Sequence, residues 1–224
     1  MSNRAYLKVW CREVTPETLA PLLRGFLDTV PFSRTRKGFT SMVLRAIDSA
    51  EAPSLERDLR SSPAMPAGVL EDLGESLQMD SSVELTAWWD LWVMDSSSGL
   101  WVEQPQRLEL LAYAPEFEDG IWRDSGHLGA DLGFEHLFTG HSGLLGNGSH
   151  APAAPDHPAE QEFLRRMADP ALLREYAERT RENILRLKAW VQRVVQSLPV
   201  DRFALVSEGE EDFEARLDAI ELGE

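Results

Sequence analysis

The sequence predicts an α+β fold: a mostly antiparallel sheet opened by a β-α-β unit, helices packed on one face, and a C-terminal helical segment with one long helix. Three observations carry this. Val83 to Met94 alternates without a break, with Val83, Leu85, Ala87, Trp89, Leu91 and Val93 on one face and Glu84, Thr86, Trp88, Asp90, Trp92 and Met94 on the other. That is the period of a half-buried strand. The chain opens strand, helix, strand. Near its end, Leu173, Ala177, Thr180, Ile184, Leu187, Val191, Val194 and Leu198 recur at steps of four and three, a helix of about seven turns.

Each element has its own signal. Ala5 to Cys11 alternates, with Leu7, Val9 and Cys11 against Tyr6, Lys8 and Trp10. Thr15-Pro16 then reads as an N-cap and first helical residue. Leu19, Leu22, Leu23, Phe26, Leu27 and Val30 follow at helical spacing, and Pro31 ends the helix. Phe39 to Ile47 reads as a strand parallel to the first, since a β-α-β crossover places its two strands that way. Leu55 to Arg60 and Ala67 to Gln78 read as short helices among Pro53, Pro63 and Pro66. Asp95 to Gly99 is a turn, and Leu100 to Tyr113 returns as a strand. Pro105 within it demands an edge position or a bulge. His127 to Phe134 is a further short strand. Gly140 to Pro158 is a Gly-, Ala- and Pro-rich connection, Ala159 to Ala168 a helix, and Phe203 to Val206 a last strand. The expected organisation is a sheet domain over 1–139, a connection over 140–158, and a helical segment over 159–224 that packs on the sheet.

Charge narrows the function classes. With 22 Lys and Arg against 38 Asp and Glu, the net charge is −16. Phosphate backbones are repelled and no basic patch offsets this, so nucleic acid is excluded as a ligand, while cations and basic partners are favoured. Cys11 is the only cysteine, so no internal disulfide forms. No apolar run approaches membrane-spanning length and the N-terminus lacks a signal-peptide pattern, so no membrane contact and a cytoplasmic location are expected. The stripe of the long helix is widened by Leu172, Tyr176, Trp190 and Val195. That favours docking within the chain over a coiled-coil dimer, hence a monomer or weak dimer.

All five histidines, His127, His136, His141, His150 and His157, fall in one stretch, with Asp131 and Glu135 among them. Histidine titrates near neutral pH and ligates metals, so chemistry is sought here first. A metal is nevertheless not expected. His127 and Asp131 lie four apart on a strand, about 13 Å, although His136 and His141 flank a Phe-Thr-Gly turn and can converge. No HExxH or CxxC pattern is present. Ser142 lacks the strand-to-helix glycine pattern of a nucleophile elbow, and Cys11 sits on an apolar strand face. The candidate ligand site is therefore where the strand carrying His127 and Asp131, with His136 beyond it, meets the polar face bearing Trp88, Asp90 and Trp92. Gly129 and Gly133 would leave room there, and tryptophan would supply a flat wall. A nearby carboxylate should raise the pKa of His127. The function expected is an accessory or binding protein for a basic partner or a small ligand, with no cofactor identified. The alternatives are a metal-dependent or hydrolase-like enzyme using His127, Asp131 and His136 with Asp90, and an immunity or inhibitor protein of a basic toxin or nuclease.

Overall fold

The computed structural model describes residues 3–95, 99–141, 144–145 and 158–223. His150, His157, Ser142 and most of the 140–158 connection lie outside them. The fold is α+β. Seven strands, β1 (Arg4–Cys11), β2 (Ser41–Ala46), β3 (Leu55–Asp58), β4 (Ser81–Met94), β5 (Trp101–Tyr113), β6 (Leu128–Phe134) and β7 (Val200–Ser207), form one sheet in the order β3-β2-β4-β5-β6-β1-β7. Every neighbouring pair is antiparallel. Strands β1 and β2 therefore do run parallel, but β6, β5 and β4 stand between them. The crossover through helix α1 (Pro16–Asp28) spans the middle of the sheet.

Local signals explain most elements. A capping box of Thr15 and Thr18 starts α1, with proline at its first turn. Helix α2 (Pro66–Leu73) runs into a single 3-10 turn. Leu55 to Arg60 is a correction: the residues form edge strand β3, paired with β2 from Ser41↔Asp58 to Leu44↔Leu55. The segment is too short to show a period, and pairing with a neighbouring strand decides its conformation. The C-terminal segment also contributes more than helices, because β7 pairs with β1 along Ala5↔Ser207 to Cys11↔Val200.

One face of the sheet is dry. Leu7, Val9, Met42, Leu44, Val83, Leu85, Ala87, Trp89, Leu91, Leu108, Leu110, Ala130 and Leu132 are buried there, as the alternation requires. Helix α1 and the long helix α6 (Pro170–Ser197) cover this face with Phe26, Ile184, Leu187, Trp190 and Val194. Asp169 caps α6 by accepting from the Ala171 N–H at 2.8 Å. Trp89 lies at the centre, its ring 5.8 Å from Phe138 on the short helix α4 (His136–Thr139) and 5.9 Å from Trp190. Among the described residues no helix is long and apolar enough to cross a membrane.

Strands β4 and β5 pair along their whole length, Ser82↔Tyr113 to Met94↔Trp101, but β2 leaves β4 after Thr86 and β6 leaves β5 after Glu109. The far half of this ribbon thus has two open edges. On the β4 edge, the loop backbone at Ser33 and side chains of α6 replace the missing strand. The Ser33 N–H donates to the Trp88 carbonyl, Arg186 donates to the Asp90 carbonyl at 2.7 Å, and the Asn183 amide brackets Trp92, accepting its N–H at 2.8 Å and donating to its carbonyl at 2.9 Å. On the β5 edge sits Pro105, opposite Asp90 and without a register shift. A residue with no N–H costs nothing where no strand follows.

Candidate functional site

The open edge of β5 borders a large groove. Strand β6 pairs with β5 only as far as Asp131. Gly133, at a φ of +93°, and Phe134 pair with β1 alone, and the chain then enters α4. The place where a continuing strand would pair with Trp101 to Arg107 is left as a groove of about 920 Å³. Its walls are the ends of β4 and β5, helix α4, helix α5 (Pro158–Met167) and the first half of α6.

A run of rings lines this groove. Trp101 packs on Tyr176 at 5.4 Å, Tyr176 on Phe163 at 5.5 Å, Phe163 on His141 at 5.4 Å, His141 on His136 at 4.0 Å, and His136 on Phe134 at 5.6 Å. Six rings from β5, α6, α5, the turn after α4, α4 and β6 meet in one series. The Tyr176 hydroxyl accepts the His141 N–H at 2.7 Å and so fixes the turn after α4. Burial pushes the Tyr176 phenol up to about 12, so it keeps its own proton to donate. Burial also pushes His136 down to about 4, with the neighbouring His141 ring adding to the effect. His141 is lowered by burial against the opposing pull of Glu160. Both imidazoles are neutral at pH 7.

The sequence-derived candidates divide. Trp92 and His136 line the groove. Trp88 and Asp90 lie further back on the outer face. The guanidinium of Arg36 covers Trp88 at 4.4 Å. Burial alone would raise the Asp90 carboxyl, but the Arg34 N–H at 2.9 Å, the Ser33 hydroxyl and the Arg34 charge outweigh it and hold it below the ordinary range. Asp131 is on the outer face too, bound to Arg4 at 2.5 Å and to the Gly133 N–H at 2.9 Å. Strand β5 separates it from β4, so its strand does not meet Trp88, Asp90 and Trp92. Nor does Gly129 provide a ligand floor: a Cβ there would stand 3.0 Å from the Leu7 carbonyl, a close approach of two strands. Glu135 is buried, and its carboxylate accepts from the Ser207 hydroxyl and the Gly209 N–H.

His127 reverses the expectation for its pKa. Among the described residues no hydrogen bond or ion pair joins it to a carboxylate. Its ring stacks on Trp122 at 4.1 Å, and Nδ1 accepts the Cys11 backbone N–H at 3.1 Å. Burial lowers it to about 4. It borders a separate void of only about 20 Å³. The Cys11 thiol nearby is pushed up to about 11 by burial, which leaves it protonated and unreactive at neutral pH. Among the described residues no group of three or more His, Cys, Asp or Glu is placed to hold a metal ion.

Trp101, Phe163 and Tyr176 were not singled out as site residues by sequence. Tyr176 showed only as a residue widening the α6 stripe. Phe163 and Trp101 carried no signal, because their partners are distant in the chain. Comparison with protein-family models, with curated proteins and with solved structures finds no match.

Proposed function

We propose that this protein binds a small organic ligand in the groove beside the free edge of β5, and that its role is binding rather than turnover. The observation that carries this reading is the unbroken series of six rings along a cavity of about 920 Å³. That size, with a wall of rings set among polar and charged side chains, suits a small organic molecule. Flat apolar faces favour a ligand with a flat or bulky apolar body. The Tyr176 hydroxyl and the amides of Gln104 and Gln106 supply polar contacts at the wall. The enzyme reading draws no support from the positions of His127, Asp131, His136 and Asp90, which stand in separate surroundings. The charge of −16 keeps a basic partner chemically reasonable, but no single surface argues for one as the groove argues for a ligand.

Ligand-observed saturation-transfer NMR with a set of flat aromatic fragments tests this. Wild-type protein should bind several of them, and Trp101→Ala, with its folding checked by circular dichroism, should lose most of that binding. Fragments that bind the variant as well as the wild type, or none that bind at all, would overturn the proposal.

A further inference from the structure

The groove's charge and its rings point to the same kind of ligand. Four acidic residues line it, Asp95, Glu135, Glu160 and Glu162, against two guanidiniums: Arg166 on the wall and Arg165, which pairs with Glu162 at 2.7 Å. The Glu135 carboxylate is turned to the Ser207 hydroxyl and the Gly209 N–H. Arg166 donates to the Gly99 carbonyl at 2.8 Å, which directs part of it away from the cavity. The two histidines on the wall are neutral, so they offset none of the negative charge. The whole chain, at −16, adds to the same field and raises the local concentration of cations.

Rings at the ends of the groove already bind cations from within the chain. The Arg179 guanidinium lies 3.9 Å from the Trp92 ring centre, and Arg4 lies 5.7 Å from that of Phe134. Between them, among the described residues, no guanidinium or ammonium lies over Trp101, Phe163 or Tyr176. An aromatic face attracts a cation through its quadrupole, and the attraction grows where water is excluded. Acidic groups around such faces strengthen it and repel anions. A hydrated metal ion would gain little from the rings, whereas an ammonium wrapped in carbon gains from both the rings and the charge.

We infer that the groove selects an organic cation, a quaternary or protonated amine carrying an apolar body, seated against Trp101, Phe163 and Tyr176 with Glu160 beside it. This rests on the binding reading of the groove and adds the charge class of the ligand. Binding needs no covalent step.

The test compares phenyltrimethylammonium with its neutral carbon isostere, tert-butylbenzene, and with benzoate. Affinities are measured by ligand-observed NMR on the full chain. The cation should bind about tenfold or more tightly than the isostere, benzoate should not compete, and added salt should weaken only the cation. Trp101→Leu keeps an apolar wall and removes the quadrupole, so it should abolish the preference while leaving the isostere bound. Glu160→Gln should weaken the cation alone, and it guards against misfolding of the tryptophan variant. An isostere that binds as tightly as the cation overturns the charge class. So does a preference that survives both substitutions. In either case, continued loss of neutral fragments in Trp101→Ala leaves the binding reading standing. No binding by cation, isostere or fragments would remove both.

Discussion

The two ends of strand β6 carry histidine stacks of nearly the same geometry. At the start, His127 lies on Trp122 with ring centres 4.1 Å apart and planes 15° apart; past the end, His136 lies on His141 at 4.0 Å and 20°. Burial lowers His127 and His136 alike, to about 4. Yet the first stack closes on a void of about 20 Å³ and the second lines a groove of about 920 Å³. A depressed histidine and a stacked partner therefore describe burial, not function. What separates the two is the sheet around them. Near His127 the strands continue: the Tyr113 N–H donates to the His127 carbonyl, and β1 pairs alongside. Near His136 the sheet runs out, and the rings face the space a strand would have filled.

The largest expected effect separates the two ends by their support. Trp89 holds α4, and with it His136, through Phe138, and holds α6 through Trp190. Trp89→Ala should cost about 3–5 kcal/mol in denaturant unfolding, as large aromatic truncations in cores do. An unchanged transition would show that the ring does not anchor the groove wall.

Acid should destabilise the protein through both ends. His127 and His136 have folded pKa values of about 4 against 6.5 in a free chain. Between those values the unfolded chain takes up protons that the folded chain refuses. Stability is thus fully present above pH 6.5 and is lost as pH falls toward 4. His127 alone accounts for at most about 3 kcal/mol of that loss. His127→Phe should flatten the slope of stability against pH and His136→Phe should flatten it further, with His141, also lowered by burial, still contributing. A wild-type protein equally stable at pH 4.5 and 7 would contradict the burial of both rings.

At neutral pH the ends part company. His127→Ala leaves the buried Cys11 N–H without its acceptor and should cost about 2 kcal/mol while leaving fragment binding intact. A loss of fragment binding without loss of stability would place function at the closed end instead. The smallest effect belongs to Phe134, the exposed end of the ring series at 43% accessibility. Phe134→Ala should change stability by less than about 1 kcal/mol and weaken binding only of fragments long enough to reach it, measured as a difference in dissociation constant.

The long central strand was legible because each face of β4 meets one environment between Val83 and Leu91, so alternation survives there. The four-residue strand β3 was not, since Leu-Glu-Arg-Asp at a solvent edge has no second face to protect. The groove was legible only in part. His136 and His141 flank a Phe-Thr-Gly turn, and the structure brings their rings together. Trp92 followed from strand parity. Asp90, Trp88, Asp131 and His127 met partners of their own, because β5 intervenes between β4 and β6 and because Arg34 and Arg36 from the loop after α1 and Arg4 from β1 reach the outer face. No local pattern announces that β6 leaves β5 after Asp131 while β5 continues. That difference in strand length makes the cavity, and it draws Phe163 and Tyr176 into one wall with Trp101.

Two-dimensional NMR of the tryptophan indole N–H groups tests the central claim most directly. The chain has seven tryptophans, and two of them, Trp92 and Trp101, line the groove. On addition of a flat aromatic fragment that binds the protein, the indole signals of Trp92 and Trp101 should shift in proportion to occupancy. Those of Trp122, stacked on His127, and of Trp10 should stay in place. Shifts at Trp122 with none at Trp101 would contradict the assignment of the groove as the binding site.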